Sequence, residues 1–152
     1  MRTTAKADYA VRAAVELAAA GDAGPVKAEQ ISEAQGIPLN FLENILTELR
    51  RAGLVESRRG AAGGHVLARP ATEISLADVI RAVEGPLANV RGTRPEELVY
   101  DGAAVWLREV WIALRASLRA VLEQVTLADL AAGDLPASVL ALTEDPEAWV
   151  SH

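Results

Sequence analysis

The sequence contains no cysteine, only two histidines and a single phenylalanine. Without cysteine the chain can form no disulfide bond and can hold no iron–sulfur cluster or zinc ion through thiolates. His65 and His152 lie far apart in the sequence, so a histidine-based metal site is not indicated either. We therefore expect no metal and no bound cofactor.

Signals of catalysis are also missing. The sequence has no Walker or dinucleotide-binding pattern, and no serine stands in the context of a catalytic nucleophile. Glu96 and Glu97 form the one conspicuous carboxylate pair, but adjacent side chains point apart and do not suit general acid and base catalysis. The chain is not expected to be an enzyme.

Long hydrophobic runs are absent. No stretch of about 18 apolar residues occurs, and the first residues, MRTTAKADYAVR, lack the continuous apolar segment of a secretory signal. A soluble, cytoplasmic protein that does not contact membranes is expected. With 152 residues, 51% of them hydrophobic, the chain can bury one core but is too short for two large domains.

Charge is distributed unevenly along the chain. Residues 1–69 carry nine Lys or Arg and eight Asp or Glu, whereas residues 70–152 carry six and thirteen. Five arginines lie between Arg50 and Arg69, opposed only by Glu56, while residues 123–152 hold six acidic residues and no Lys or Arg. A local basic edge on an acidic protein restricts where DNA can approach. The alternative is an ordinary solvated run of charges.

Residues 31–69 contain the most informative pattern, two short helices followed by a hairpin. Gly36 is expected to end the first helix, and Pro38 suits the first turn of the second. The second helix is amphipathic, because apolar residues recur every three or four positions. Its apolar residues are Phe41, Leu42, Ile45, Leu46 and Leu49, and its polar residues are Asn40, Glu43, Asn44, Thr47, Arg50 and Arg51.

The hairpin forms a basic, glycine-rich tip. Leu54–Val55 and Val66–Leu67 are predicted as short strands around the sequence RRGAAGGH. An arginine at such a tip can enter the minor groove of DNA, and polar side chains on the second helix can contact base edges. These features predict a winged helix-turn-helix that binds double-stranded DNA. Because some winged helices bind proteins instead, a protein-interaction module remains the alternative.

Helix start and stop signals divide the rest of the chain. A first helix is predicted from Thr4 to Ala20, another from the Ser75 cap to Glu84, and a long helix from Gly102 to Val125. We expect a DNA-binding domain over residues 1–85, a loop over 86–101, a dimerisation helix with short C-terminal helices over 102–142, and a loose acidic tail over 143–152. The predicted fold is mainly α with a small β-wing.

The long helix carries apolar residues in alternating steps of four and three, which is the spacing of helices that pack side by side. These residues are Leu107, Trp111, Leu114, Leu118, Val121 and Val125. Trp106 and Val110 widen the apolar stripe, so one flank is expected to pack on the chain's own core and the other on a second copy. The alternative is a purely intramolecular core helix. In a dimer, paired recognition helices would read a palindromic site.

Three aromatic residues surround the start of this helix. Tyr100, Trp106 and Trp111 form a candidate pocket for a small effector. The simpler interpretation is that tryptophans at helical spacing belong to the core.

Several segments resemble the Rrf-two family, the IscR-like bacterial winged helix-turn-helix regulators. The similarity lies in MRTTAKADYAVRA, in GIPLNFLENILTELRRAGLVESRRGAAGGHVLAR, in SLADVIRAVEG and in VTLADL, and covers nearly the whole chain. It implies dimerisation through the long helix, a recognition helix in the major groove and a wing arginine in the minor groove. It also implies base reading by Asn40, Phe41 and Glu43, insertion of Arg59, and phosphate contacts near Arg2, Thr4 and Lys6.

Pattern and resemblance together predict one set of DNA-contacting residues: Arg2, Thr4, Lys6, Asn40, Phe41, Glu43, Asn44, Arg50, Arg51, Arg58, Arg59, Gly60, Gly63, Gly64 and His65. The expected function is a homodimeric transcription regulator, a repressor of a palindromic operator, with a small effector or a protein partner as further candidates. The alternative is a module that docks a metabolic enzyme without binding DNA.

The chain also departs from the family pattern. Many members hold an iron–sulfur cluster through three cysteines in the loop before the long helix, but here that loop reads LANVRGTRPEELVYDGAA. Asp8 falls where some members use a carboxylate ligand, and a carboxylate without thiolates cannot assemble the usual site. A regulator without a cluster is expected. His65 replaces a common aromatic residue and Ala61–Ala62 replaces Pro-Gly, so wing stiffness and DNA preference are expected to differ.

Overall fold

The computed structural model describes residues 2–152. The elements in this part of the chain are α1 (Ala5–Ala20), α2 (Ala28–Gln35), α3 (Leu39–Arg51), β1 (Val55–Arg58), β2 (Gly64–Leu67), α4 (Leu76–Glu84), α5 (Leu107–Leu122), α6 (Leu127–Ala132) and α7 (Ala137–Ala141). Short 3-10 turns connect them. The fold is mainly α with a small two-stranded sheet, as the sequence predicted. Over these residues no helix is both long enough and apolar enough to span a membrane.

Helix α1 is the centre of the N-terminal core. Ala10 and Ala13 are completely buried and Leu17 is nearly so, and α3, α4 and α6 all pack against α1. The small alanine side chains allow these helices to approach closely, while the leucines and isoleucines of the neighbours fill the space around them. Thr4 caps the helix by accepting a hydrogen bond from the backbone N–H of Ala7 at 3.0 Å.

The helix-turn-helix forms where the sequence predicted it. Helix α2 ends at Gly36, whose φ of 62° and ψ of 35° place it in the left-handed region that glycine adopts at low cost. Pro38 precedes α3 and does not lie inside its first turn. Leu42, Ile45, Leu46 and Leu49 point into the core. Phe41 is different: the sequence grouped it with these apolar residues, but it is 59% exposed.

The wing is an antiparallel hairpin. Val55 pairs with Leu67 and Arg58 pairs with Gly64, so both strands extend closer to the tip than the predicted Leu54–Val55 and Val66–Leu67. Val26 forms an additional bridge to His65, with a Val26 N–H to His65 carbonyl distance of 2.9 Å and a His65 N–H to Val26 carbonyl distance of 2.8 Å. The wing is therefore fixed to the segment just before α2.

Helix α6 packs with the N-terminal core, although the sequence grouped it with the dimerisation helix. Leu127 is fully buried in the same hydrophobic cluster as α1 and α3. Backbone hydrogen bonds of 2.9 Å join Leu76 N–H to the Val125 carbonyl and Leu127 N–H to the Ile74 carbonyl. Ser75 and Thr126 therefore start α4 and α6 side by side, each accepting a hydrogen bond from a backbone N–H three residues further along.

Helix α5 is shorter than the predicted helix. Residues Gly102–Ala104 form a 3-10 turn, and the helix ends at Leu122. Val125, predicted for a dimer interface, lies beyond that end and is only 3% exposed. It is held in the chain's own core by the bond to Leu76, so it cannot also contact a second copy.

The C-terminal residues also differ from expectation. The tail that was expected to be loose contains a 3-10 turn at Pro146–Trp149, and the Trp149 indole N–H donates to the Thr143 carbonyl at 2.7 Å.

Candidate nucleic-acid interface

One face of α3 presents the predicted base-reading side chains to solvent. Asn40, Glu43 and Asn44 are all exposed. Their direction follows from the four buried residues Leu42, Ile45, Leu46 and Leu49, because these fix the rotation of the helix about its axis. The short amides of Asn40 and Asn44 have the donor and acceptor groups that direct contact with base edges requires.

Arginines at the end of α3 and along β1 extend this face toward the wing. Arg50 Nη1 donates to Ser57 Oγ at 2.9 Å, which joins the recognition helix to the first wing strand. Arg58 lies 3.6 Å from Glu56, and both side chains are more than half exposed, so the pair is weak and easily exchanged for another anion. Within residues 2–152, neither Arg51 nor Arg59 has a carboxylate within 4.0 Å.

Two glycines at the wing tip occupy positions where a side chain has no room. A Cβ at Gly63 would lie 2.2 Å from the Arg58 carbonyl oxygen, across the hairpin. A Cβ at Gly64, where φ is 151°, would lie 2.6 Å from the Val26 carbonyl oxygen. Gly60 also has a positive φ, 99°, but open space around it. The glycines therefore shape the tip on which Arg58 and Arg59 are carried.

His65 was predicted to contact DNA, and it lies in strand β2 of the wing, where its backbone pairs with Val26. Its side chain is half-buried, and its Nδ1 atom is buried without a hydrogen-bond partner among the described residues. Burial, followed by the charge of Arg50, lowers the pKa of the imidazole. His65 is thus favoured in its neutral form at pH 7.

The N-terminal residues predicted near phosphates have partners within the chain. Lys6 Nζ lies 2.9 Å from Glu48 of α3. The Thr4 hydroxyl donates to Glu84 of α4 while it caps α1. Arg2 is exposed. The sequence predicted neither the Lys6–Glu48 pair nor the Thr4–Glu84 hydrogen bond. The two partners are separated by 42 positions in the first case and by 80 in the second, and no local pattern indicates contacts over such separations.

The structure also reveals a cavity of about 540 Å³ between α1 and α3, beside the base-reading face. Tyr9 and Phe41 contribute its aromatic walls, and Lys6 and Arg51 its cations. Phe41 was predicted both as an apolar helix residue and as a base-contacting residue. Its exposure follows from this position at the cavity.

The aromatic residues proposed as an effector pocket do not form an enclosed site in the single chain. The Trp111 indole N–H donates to the Tyr100 hydroxyl at 3.1 Å, so these two side chains satisfy each other. Trp106 is 74% exposed, and a side chain so exposed cannot wall a closed cavity.

Comparison with known proteins identifies the family. A family model described as "Rrf2: Iron-dependent Transcriptional regulator" matches residues 3–133. The chain belongs to the Rrf2 family. An HTH-type transcriptional regulator of Mycobacterium tuberculosis H37Rv, Rv1287, is 54% identical over 151 residues, which cover 99% of this chain and 94% of that protein. CymR of Bacillus subtilis, also named an HTH-type transcriptional regulator, is 36% identical over 86% of this chain and 90% of its own length.

Solved structures agree with this assignment. CymR (YrzC), described as the global cysteine regulator of B. subtilis, superimposes with a TM-score of 0.75 at 34% identity, covering 88% of this chain and 98% of that one. T. potens IscR superimposes with a TM-score of 0.70 at 33% identity, covering 100% and 93%. This Rrf2 protein is therefore a winged-helix, DNA-binding transcriptional regulator and not an enzyme. Nothing in the comparisons supports the alternative of a module that has lost DNA binding.

The residues present do not fit the iron–sulfur cluster held by many Rrf2 proteins. The chain has no cysteine, and in residues 2–152 no three side chains of His, Asp or Glu lie together as metal ligands. In the loop between α4 and α5, Val90 and Thr93 instead pair through two backbone hydrogen bonds of 3.0 Å. Hydrogen bonds within its own backbone and contacts with α5 hold this loop in place.

Proposed function

We propose that this Rrf2 protein is a homodimeric repressor that binds a palindromic operator and works without an iron–sulfur cluster. The observation that supports this mode of DNA binding is one continuous surface. It is formed by the exposed polar face of α3, the arginines at the end of α3 and the glycine-tipped wing. Asn40 and Asn44 would read base edges in the major groove, and Arg59 would enter the minor groove. Two observations support these roles: Asn40 and Asn44 are exposed, and Arg59 has no carboxylate within 4.0 Å among residues 2–152.

Replacing Arg59 with alanine tests the wing. An arginine that contacts a narrow minor groove contributes through charge and through groove shape, so Arg59→Ala is expected to weaken operator binding by about 1 to 3 kcal/mol. Arg108→Ala is the matched control, because Arg108 lies on α5 and pairs with Glu109 at 2.9 Å. Operator sequences are obtained by selecting bound fragments from genomic DNA. A selection that enriches no sequence would contradict the operator proposal, and equal effects of the two replacements would contradict the role of Arg59.

Base reading requires a separate variant. Asn40→Ala is expected to relax the preference at one position of each half-site, while non-specific affinity stays close to that of the wild type. The measurement is a second selection with the variant. An unchanged motif would show that Asn40 does not read bases.

Dimerisation is supported by the surface area of the single chain. The chain exposes 9489 Å², whereas a compact monomer of 16.1 kDa exposes about 7,400 Å². The excess of roughly 2,000 Å² per chain is of the size that obligate dimers bury. Helix α5 accounts for part of it, because none of its sixteen residues is buried.

The two flanks of α5 differ in a way that favours a second copy on one of them. Leu107, Trp111, Leu114, Leu118 and Val121 are half-buried, so the predicted seam already packs partly on the chain's own loop and on α4. Trp106 and Val110 are 74% and 55% exposed. We infer that the partner contacts this exposed flank together with the free edges of the seam.

Val110→Asp tests this interface more directly than Leu114→Asp, because Val110 has less packing to lose within its own chain. The variant is expected to be monomeric and folded, as measured by light scattering and circular dichroism. Val99→Asp is the control, since Val99 is 84% exposed but lies outside α5. A wild-type monomer at micromolar concentration, or a dimer that tolerates Val110→Asp, would refute the proposed interface.

A dimer places two recognition helices in two-fold symmetry, which is why a palindromic site is proposed. A regulator that binds the chromosome works in the bacterial cytoplasm. Repression would follow from an operator that overlaps a promoter, and transcription of a reporter with and without the protein tests this. A rise in transcription on adding the protein would show activation instead.

A further inference from the structure

The C-terminal half of the chain is strongly acidic, yet its few arginines are concentrated in one place. Residues 70–152 contain six basic residues and thirteen acidic ones. Four of the six, Arg81, Arg94, Arg115 and Arg119, line a single pocket of about 400 Å³. Arginines that served only to keep the protein soluble would be expected at separate places on the surface. Their convergence needs a physical reason, because like charges at close range destabilise each other.

The pocket lies where three parts of the molecule meet. Arg81 comes from α4, Arg115 and Arg119 come from α5, and Arg94 comes from the loop between them. Arg115 and Arg119 are four residues apart and so lie on the same side of α5. Arg115 is the most buried of these arginines, with 17% of its side chain exposed.

Carboxylates of the chain offset only part of this positive charge. Glu96, which also lines the pocket, accepts a hydrogen bond from Arg115. Glu123 accepts one from Arg81 and lies 3.8 Å from Arg119, and Asp78 lies 4.0 Å from Arg81. Arg94 has no carboxylate within 4.0 Å in the part of the chain described. A backbone hydrogen bond and the hydrogen bond from Arg115 lower the pKa of the Glu96 carboxyl group, consistent with a positive potential at this position.

We propose that this arginine pocket binds a small multivalent oxyanion, a metabolite that carries two or more carboxylate or phosphate groups. Guanidinium groups form paired, charge-assisted hydrogen bonds with both kinds of group. The volume falls within the range of small-molecule sites. Leu87 and Pro86 add an apolar wall, which suits an organic anion better than a bare inorganic ion.

Binding at this position would act on the relation between the DNA-binding domain and α5. Glu123 at present links Arg81 of α4 with Arg119 of α5, and a ligand that contacts both arginines would replace or tighten that link. A ligand that favours one arrangement of α4 and α5 shifts the population toward it. This regulatory step rests on the proposed function, whereas ligand binding itself does not.

The first experiment measures binding to the full-length protein by calorimetry, at constant ionic strength because screening affects charged ligands. Pyrophosphate and citrate are the multivalent probes, and acetate is the monovalent comparison. We expect pyrophosphate or citrate to bind at least tenfold more tightly than acetate, and the tighter of the two identifies the phosphate or the carboxylate class. Equal and weak binding of all three would overturn the proposal.

Variants locate the site. Arg94→Gln is expected to weaken binding about tenfold, the loss of one hydrogen bond to a charged group, without affecting folding because Arg94 has no ion pair to lose. Arg115→Gln is expected to have at least the same effect. Arg108→Gln is the matched control, since Arg108 lies on α5 outside the pocket. Binding that Arg94→Gln leaves unchanged, or that Arg108→Gln weakens equally, would overturn the assignment.

The regulatory step is measured separately, as operator affinity with and without the tighter probe. A change that Arg94→Gln abolishes supports coupling. Operator affinity that stays constant while the probe binds would refute coupling and leave the pocket assignment standing. A protein that binds its operator but none of the probes would refute the pocket and leave the proposed function intact.

Discussion

Gly64→Ala is the sharpest test of how the wing is held. At this position a Cβ would lie 2.6 Å from the Val26 carbonyl oxygen and 3.0 Å from the Lys27 nitrogen, both of them backbone atoms that cannot rotate away. The backbone at Gly64 also has a φ of 151°, which side chains with a Cβ disfavour. Alanine can therefore be accommodated only if the wing moves away from the segment before α2.

That movement has a cost that can be worked out from the structure. The two hydrogen bonds between Val26 and His65, at 2.9 and 2.8 Å, would be broken or stretched. Each contributes about 0.5 to 1.5 kcal/mol, and the backbone strain adds about 1 to 3 kcal/mol. We expect the free energy of unfolding to fall by about 2 to 6 kcal/mol, which lowers Tm by roughly 4 to 24 °C for a chain of this length.

The assay is urea unfolding followed by circular dichroism, together with operator binding. Gly60→Ala is the matched control, because Gly60 lies in the same hairpin with a φ of 99° but has nothing within 4 Å of the added Cβ. Gly60→Ala should show the cost of placing alanine at a positive φ, without the collision between the Cβ and the Val26 carbonyl oxygen that Gly64→Ala causes. If Gly64→Ala is no more destabilising than Gly60→Ala, the collision with Val26 does not hold the wing and the reasoning fails. Operator affinity should fall with Gly64→Ala because Arg59 loses its position.

Two further predictions concern polar groups that are half-buried. Burial lowers the pKa of His65 in the folded protein, so below about pH 6.5 this side chain binds a proton more readily in the unfolded state. The free energy of unfolding should therefore be independent of His65 above about pH 6.5. It should fall as the pH drops from there toward the pKa of His65 in the folded protein. His65→Phe should remove this part of the dependence, as urea unfolding at several pH values will show, and an unchanged profile would contradict it. Trp111→Phe loses the 3.1 Å hydrogen bond to Tyr100 and should destabilise the protein by about 1 kcal/mol. Trp106→Phe is the exposed comparison, and equal stability losses would argue against a role for the bond.

Local patterns predicted the secondary structure well because each rests on nearby residues. Gly36 ends α2, Ser75 begins α4, and the spacing of Leu42, Ile45 and Leu46 orients α3, all as expected. Those features depend on backbone geometry and on one helical turn of sequence. The fold class and the face of α3 that is free to contact DNA could be read from them without tertiary information.

Features that depend on packing between distant segments were not predictable in the same way. Phe41 follows the apolar spacing of α3 but is 59% exposed and lines the cavity between α3 and α1. Val125 continues the spacing of α5, but the chain turns at Leu122 so that α6 can pack on α1. The partners of Lys6 and Thr4 lie 42 and 80 residues away. The spacing of apolar residues is the same whether a helix continues or ends and its next apolar residue is buried against other helices.

The way α5 is attached bears on how a signal can reach DNA. Its C-terminal end is anchored to the DNA-binding domain, because Val125 is buried and bonded to Leu76 and because Leu127 fills the common core. The middle of α5 contacts the loop around Glu96, through Arg115. A change at the arginine pocket can therefore tilt α5 about its anchored end without unfolding the domain. In a dimer held through α5, the same tilt would occur in both copies and would alter the distance between the two recognition helices. That distance determines whether both can enter successive major grooves, so we expect a rotation of α5 near Arg115 to change operator affinity.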